Sequence, residues 1–137
     1  MSAPLSEVLS TLADDLVTGL DADACAISSV IGEVLIIVAE RMPDGMTMQQ
    51  GHGYLVSDFP VTAEVLRTRE PCALTLDDAG LDPAEAAILH EYEFGALLML
   101  PLELNGVVWG LIEVYRKDRR PFTGAEIKRA RGLSRVT

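Results

Sequence analysis

Apolar residues recur at helical spacing through residues 5–20, where Leu5, Val8, Leu9, Leu12, Leu16 and Leu20 form one stripe and Glu7, Asp14 and Asp15 fall off it. This predicts an amphipathic helix of about four turns. Asp21-Ala22-Asp23 ends it, and the period then shortens. Residues 24–30 and 33–39 predict two strands about a tight turn near Ile31-Gly32, with Ala24, Ala26 and Ser28 on one face. Side chains that small either leave room for something bulky or let a helix pack close, and close packing is the favoured reading. Residues 41–57 lack a period. Their Gly51-His52-Gly53 marks either a loop that closes on a ligand or a plain linking loop. Pro60 then opens a short helix with Val61, Val65 and Leu66 turned inward, and residues 72–76 read as a third or edge strand behind Pro71.

Asp82-Pro83-Ala84-Glu85 has the form of a helix start, with Asp82 as cap, proline at the first helical position and Glu85 placed to complete a capping box. That helix runs to about Tyr92, with Gly95 placed to end it. Residues 96–115 follow as two apolar runs meeting at Asn105-Gly106, the dipeptide best able to take positive φ at both centres of a type I′ turn. A two-residue loop pairs Leu104 with Val107, and then Leu102/Trp109, Leu100/Leu111, Leu98/Glu113 and Ala96/Tyr115 on one face. Pro101/Gly110, Met99/Ile112 and Leu97/Val114 take the other. Both faces are mostly apolar, so the hairpin belongs inside a sheet covered on each side. A second capping box, Thr123 with Glu126, starts the last helix. Phe122 is set to staple onto Ile127, Ile127, Ala130 and Leu133 lie on one side, and no ending signal precedes Thr137. The order of elements predicts an α+β fold, a single antiparallel sheet with helices on both faces.

Composition changes this picture little, and charge changes it more. A chain of 137 residues with 49% hydrophobic and 23% charged residues is expected to form one domain with one proper core. No apolar run approaches the ~20 residues of a membrane span, and the N-terminus lacks the pattern of a signal peptide. The expectation is a cytoplasmic protein in which Cys25 and Cys72 are reduced, buried thiols. A net charge of −10 argues against nucleic acid as a partner. Eight basic against two acidic residues leave positions 116–137 at +6, and the first 115 residues at −16. The basic stretch is either a solvated helix face or an electrostatic contact, within the chain or between chains.

Leu98-Met-Leu-Pro-Leu102, Asn105-Gly106, Gly110-Leu-Ile-Glu-Val-Tyr115 and Arg120-Pro-Phe-Thr123 together resemble the motif run of GAF domains, the small-ligand sensor modules of phosphodiesterases, phytochromes and bacterial signalling proteins. Residues 58–66 are similar to the family's middle segment, and the resemblance covers nearly the whole chain. It implies an antiparallel sheet of six strands, the first and last helices on one face, and shorter helices and loops over a pocket on the other. It also implies that residues 1–137 are one GAF-like domain, the N-terminal part of a longer signalling protein.

No catalytic constellation is present in the sequence: no phosphate-binding glycine loop, no paired histidines at helical spacing, no Ser or Cys beside a base. His52 and His90 read as surface imidazoles, not haem or metal ligands. Within the family resembled, the Asn-Lys-Phe-Asp-Glu signature of cyclic-nucleotide binders is missing, and neither cysteine sits beside a histidine as a bilin attachment cysteine does. No cofactor is expected. The branch that reduces free methionine sulfoxide has acidic pocket residues, one of which aligns with Glu113, but a second falls on Tyr115 and the cysteines do not match. The candidate pocket residues are Leu98, Trp109, Glu113 and Tyr115. Glu113 stands out because burying a carboxylate without a partner costs several kcal/mol. It either binds a donor on a ligand or is paired with an arginine such as Arg116 or solvated, the latter being favoured.

The functional expectation is a non-catalytic regulatory domain that senses a small molecule or dimerises to control an attached output domain. The alternatives are a ligand-free interaction module and, more remotely, a methionine sulfoxide reductase-like enzyme. The leucine stripe and the open-ended last helix predict a homodimer through residues 3–20 and 124–137.

Overall fold

The leucine stripe becomes helix α1 (Leu5–Gly19), which buries Leu9, Leu12, Ala13 and Leu16. In the computed structural model, which describes residues 4–48 and 51–136, it is followed by strands β1 (Ala24–Ile31), β2 (Val34–Arg41) and β3 (Gly53–Leu55), helix α2 (Pro60–Thr68), strand β4 (Cys72–Thr75), helix α3 (Pro83–Tyr92), strands β5 (Ala96–Leu104) and β6 (Val107–Arg116), helix α4 (Gly124–Ser134) and strand β7 (Arg135–Val136). Residues 3, 49, 50 and 137 of the predicted dimer segments and of the 41–57 loop lie outside the described residues.

The sheet runs β3-β2-β1-β6-β5-β4, with every pair antiparallel, and β7 adds to β5 in parallel. Helices α1 and α4 cover one face, and α2 and α3 the other. This is the α+β architecture expected, with the hairpin inside the sheet. Two short strands are additions. β3 forms in the stretch that has no period, three residues pairing with Val34–Ile36 of β2, too few for alternation to show. β7 forms where the last helix has no stop signal.

The hairpin turn is as predicted, with Asn105 at φ 51° and Gly106 at φ 80° and Leu104 opposite Val107. The register behind it is not. Glu103 faces Val108 but Leu102 faces Gly110, so Trp109 is an extra residue, a β-bulge. Because side chains alternate, a slip of one residue sends every partner to the other face. Leu98 is therefore opposite Val114, Met99 is opposite Glu113, and Leu97 is opposite Tyr115. The bulge also shifts Trp109 to the α1/α4 side, where it packs against the core that Leu98, Ile112 and Val114 belong to. Gly110 sits where β6 meets β1 so closely that a Cβ would lie 2.0 Å from the Ser28 carbonyl oxygen.

Arg116 ties α1, β6 and α4 together. It is 1% exposed, and its guanidinium donates to the carbonyls of Leu20 (2.6 Å), Asp21 (3.3 Å), Arg120 (3.3 Å) and Pro121 (3.1 Å). It also donates to the Glu126 carboxylate and lies 4.1 Å over the Phe122 ring. Glu126 is simultaneously the third residue of a formed capping box with Thr123. Much of the remaining basic C-terminal stretch pairs within the chain: Arg120 with Asp21, Arg129 with the Gly19 carbonyl, Arg131 with Glu70, and Arg135 with Glu103.

Candidate functional site

Alternation along β6 sends Leu111, Glu113 and Tyr115 to the face covered by α2 and α3, and Ile112, Val114 and Arg116 to the other. On the neighbouring strand β1, Ala26 and Ser28 are on the same side as Glu113 and Tyr115 and carry no bulk. The small residues of β1 thus leave a cavity rather than only admitting a helix. It holds about 30 Å³, room for roughly two waters. Tyr54 and Phe59, edge to face with centroids 6.1 Å apart, form an aromatic wall, and Met48, Thr62 and Ile88 complete the lining near the acids.

The polar corner consists of Glu85, Glu113 and Tyr115. The Tyr115 hydroxyl donates to Glu113 Oε2 at 2.9 Å, and its ring is held by Phe94, stacked at 4.8 Å. Glu85 enters from α3 and is 2% exposed, and its Oε1 receives no hydrogen bond. Burial, followed by the charge of Glu113, the hydrogen bond to it and the charge of Asp82, pushes the Glu85 carboxyl up to about 10. Burial also raises Glu113, against the lowering effect of hydrogen bonds from Glu85 and Tyr115. Burial and the adjacent acids push the Tyr115 hydroxyl well above its ordinary value. Burial and mutual repulsion thus favour a single proton shared between the Glu85 and Glu113 carboxyls at neutral pH. Among the described residues no lysine, arginine or histidine lines the cavity.

Of the four residues singled out in the sequence, Glu113 and Tyr115 line this cavity, while Leu98 and Trp109 lie on the opposite face of the sheet. The unbulged register is what placed them together. Arg116, the partner suggested for Glu113, faces away from it and belongs to Glu126. The capping box that the spacing of Asp82 and Glu85 predicts does not form, since α3 has no side-chain cap. The Asp82 carboxylate instead accepts the Val61 N–H at 2.8 Å, satisfying the first turn of α2. The signal for Glu85 was its spacing: Ile88 and Leu89, three and four residues on, share its inward face. Gly95 does not end α3 either. Glu93 takes the left-handed cap at φ 60°, and Gly95 packs where a Cβ would lie 2.6 Å from the Asp118 carbonyl oxygen.

His52 packs against Tyr54 with ring centroids 4.9 Å apart, and both it and His90 are exposed. Cys25 lies in the core under α1 and α4, its thiol pushed up by burial and by Glu113 and Asp14, and Cys72 is on the edge strand. Neither cysteine lines the cavity. Among the described residues no group of three or more His, Cys, Asp or Glu is arranged to hold a metal ion, and no helix is long and apolar enough to cross a membrane.

The fold is shared with solved structures at low identity. The blue-light-absorbing form of the Thermosynechococcus elongatus PixJ GAF domain matches with a TM-score of 0.79 at 20% identity, over 95% of this chain and 80% of that one. The GAF domain/HD domain protein from Geobacter sulfurreducens matches with a TM-score of 0.79 at 19% identity, over 95% and 86%. The chromophore-binding domain of Stigmatella aurantiaca phytochrome P1 matches with a TM-score of 0.77 at 18% identity, over 97% of this chain and 52% of that one, so this chain spans about half of its length. No curated protein is matched in sequence. The profile of the GAF domain matches residues 4–136, essentially the whole chain. On the match over its full length and on the shared architecture, the chain belongs to the GAF domain family.

Proposed function

We propose that this chain is the non-catalytic sensor domain of a cytoplasmic signalling protein, its N-terminal part, and that it binds a small molecule in the cavity under α2 and α3. The observation that carries this reading is the buried polar corner of the cavity: Glu85, Glu113 and Tyr115 converge there, and Glu85 Oε1 has no donor among the described residues. A core serving only to hold the fold has no use for two acids at that place, because each costs free energy to bury. The rest of the lining supplies no nucleophile with a base and no metal set, which favours recognition over chemistry. Occupancy would act through β1 and β6, whose other faces carry α1 and α4, the segments through which an attached output domain would feel the change.

The small volume of the cavity favours a second reading, a ligand-free module that works by association. The predicted dimer must then use other residues than the leucine stripe, since Leu9, Leu12 and Leu16 are buried in this chain's own core. Leu5, at 44% exposed, and the shallow groove between Val8 and Leu133 remain open for it. Native mass spectrometry of purified protein, followed by a thermal-shift screen of small metabolites, separates the two. A copurified or stabilising compound whose effect is lost in Glu113→Gln supports the sensor. A dimer with no stabilising compound refutes it in favour of association.

A further inference from the structure

The chemistry of the corner narrows what it can hold. Among the described residues the titratable groups facing Glu85 and Glu113 are acidic or neutral: Asp82 before α3, Tyr115 on β6, Tyr54 on β3, and Cys25 on β1 from beneath the sheet. Among the described residues the other polar lining groups are the hydroxyls of Ser28 and Thr62, and the Thr62 hydroxyl donates to Met99 Sδ at 3.4 Å. Glu85 is 2% exposed, and its Oε1 has no donor among the described residues. A proton held between the two carboxyls serves the contact with Glu113, and Oε1 is left for a donor that enters the cavity, a water or a group brought by a ligand. An anion here meets two acids and no cation, and a neutral apolar guest leaves the oxygen unsatisfied. A cation meets a carboxylate and an acceptor without a donor, in a cavity that Tyr54 and Phe59 also line.

Building on the sensor reading above, we infer that the ligand is a small organic cation bearing a primary ammonium group, which enters between Glu85 and Glu113 and takes the place of the proton they share. The exchange balances: one ammonium comes in, one proton leaves to solvent, and the pair ends with two carboxylates around one positive charge. A cavity of about 30 Å³ admits the ammonium head and one or two carbons. The remainder of a larger amine has to lie toward the loop side of the cavity, where Met48 sits. Because proton and cation compete for one place, affinity rises with pH as long as the pair is protonated in the free protein.

The test uses methylammonium and ethylammonium chloride as probes, with the wild-type chain and methyl NMR of Met48, Thr62 and Ile88. Saturable shifts of these methyls are expected in the millimolar range, as probes of two or three heavy atoms allow. The dissociation constant should fall roughly tenfold per pH unit between about pH 6.5 and 8.5, with close to one proton released per ion bound by calorimetry in two buffers. Sodium and tetramethylammonium at equal concentration should give neither effect. In Glu85→Gln the amide permanently occupies the proton's place, so binding at the upper pH should weaken at least tenfold and lose its pH slope. The inference is overturned by absence of saturable shifts, by pH-independent binding in the wild type, or by unchanged affinity in Glu85→Gln. The wild-type pH slope and proton count decide the matter even if that variant does not fold. A neutral or anionic compound that shifts these methyls while the alkylammonium ions do not refutes the cation but keeps the sensor. No shift with any compound of the metabolite screen refutes both.

Discussion

Arg116→Met is the perturbation that most directly measures how the two end helices are held to the sheet. The guanidinium serves four carbonyls, those of Leu20, Asp21, Arg120 and Pro121, and the Glu126 carboxylate, and it covers the Phe122 ring. Methionine fills part of the volume and supplies no donor. The Leu20 carbonyl, at the end of α1, then loses its partner, the Asp21 carbonyl keeps only Arg120, and Glu126 keeps only its capping contacts. Removing one partner of a buried charged pair costs about 3–5 kcal/mol, and on a domain of this size ~4 kcal/mol lowers Tm by roughly 10–20 °C. Lysine restores the charge but not the planar fork that reaches several carbonyls at once, so Arg116→Lys should recover less than half of the loss. Urea unfolding followed by circular dichroism and by Trp109 fluorescence reads both variants. The pH dependence is a second check. Burial pushes Glu126 up, but hydrogen bonds from the Thr123 backbone and Arg116 outweigh it and hold the carboxyl below its ordinary value. Its folded value is below its unfolded one, so its contribution is fully present above the ordinary carboxylate range and disappears as pH falls through the depressed folded value. Arg116→Met should therefore be most destabilised relative to wild type at neutral pH, with the gap narrowing in acid. A methionine variant within about 1 kcal/mol of wild type at neutral pH refutes the reasoning, since the ion network would then be replaceable by apolar packing.

Other expectations follow from single contacts. Glu85→Gln should raise stability at pH 8 and change it little near pH 4: the folded carboxyl is raised far above its unfolded value, so the wild type loses stability as pH climbs from the unfolded value toward about 10, and the amide does not; thermal melts across pH check it, and a variant no more stable than wild type at pH 8 counts against a protonated Glu85. Gly110→Ala places a methyl 2.0 Å from the Ser28 carbonyl oxygen and should cost on the order of 3 kcal/mol in denaturant unfolding by forcing β1 and β6 apart. Leu16→Ala, at a fully buried position of α1, should cost about 2–5 kcal/mol, read as a lower urea midpoint without any change in sedimentation. Purified protein should show only aromatic absorption, and a visible band after reconstitution with haem that disappears on replacing His52 or His90 would overturn that.

What was legible in the sequence follows from where the information is local. The period of α1, the Asn105-Gly106 turn and the Thr123/Glu126 box all depend on residues within a turn of one another, and all three stand as read. The bulge at Trp109 does not. Nothing in a run of apolar residues marks which one is extra, and the bulge adjoins the close approach of Gly110 to Ser28 on another strand, which a single strand's pattern does not show. One residue of register is enough to exchange Leu98 for Met99 opposite Glu113, which is why half of the candidate residues lie on the wrong face. β3 escaped for a similar reason: three residues paired to a strand some twenty positions earlier carry no periodic signature.

The two capping patterns show most clearly how tertiary partners decide. Asp82-Pro83-Ala84-Glu85 and Thr123-Gly124-Ala125-Glu126 present the same local logic, and only the second forms the box. At α4, Thr123 has no competing partner, and Glu126 bonds back to Thr123 while also receiving Arg116, so local and long-range demands agree. At α3, the α2 helix claims the Asp82 carboxylate through the Val61 N–H, which leaves Glu85 without the reciprocal arrangement. It had the option of turning to solvent, as first-turn glutamates do. Instead it lies on the face of Ile88 and Leu89 and meets a second acid beneath it. A formed box contributes about 1 kcal/mol, whereas a buried acid costs more than that unless something satisfies it. Local preference and burial both argue against Glu85 at this place, and conflicts of that kind concentrate at functional sites. The departure from the local rule therefore falls at the same residue whose oxygen lacks a donor, and it supports the cavity under α2 and α3, not the leucine-rich face under α1, as the part of this domain that answers to something outside the chain.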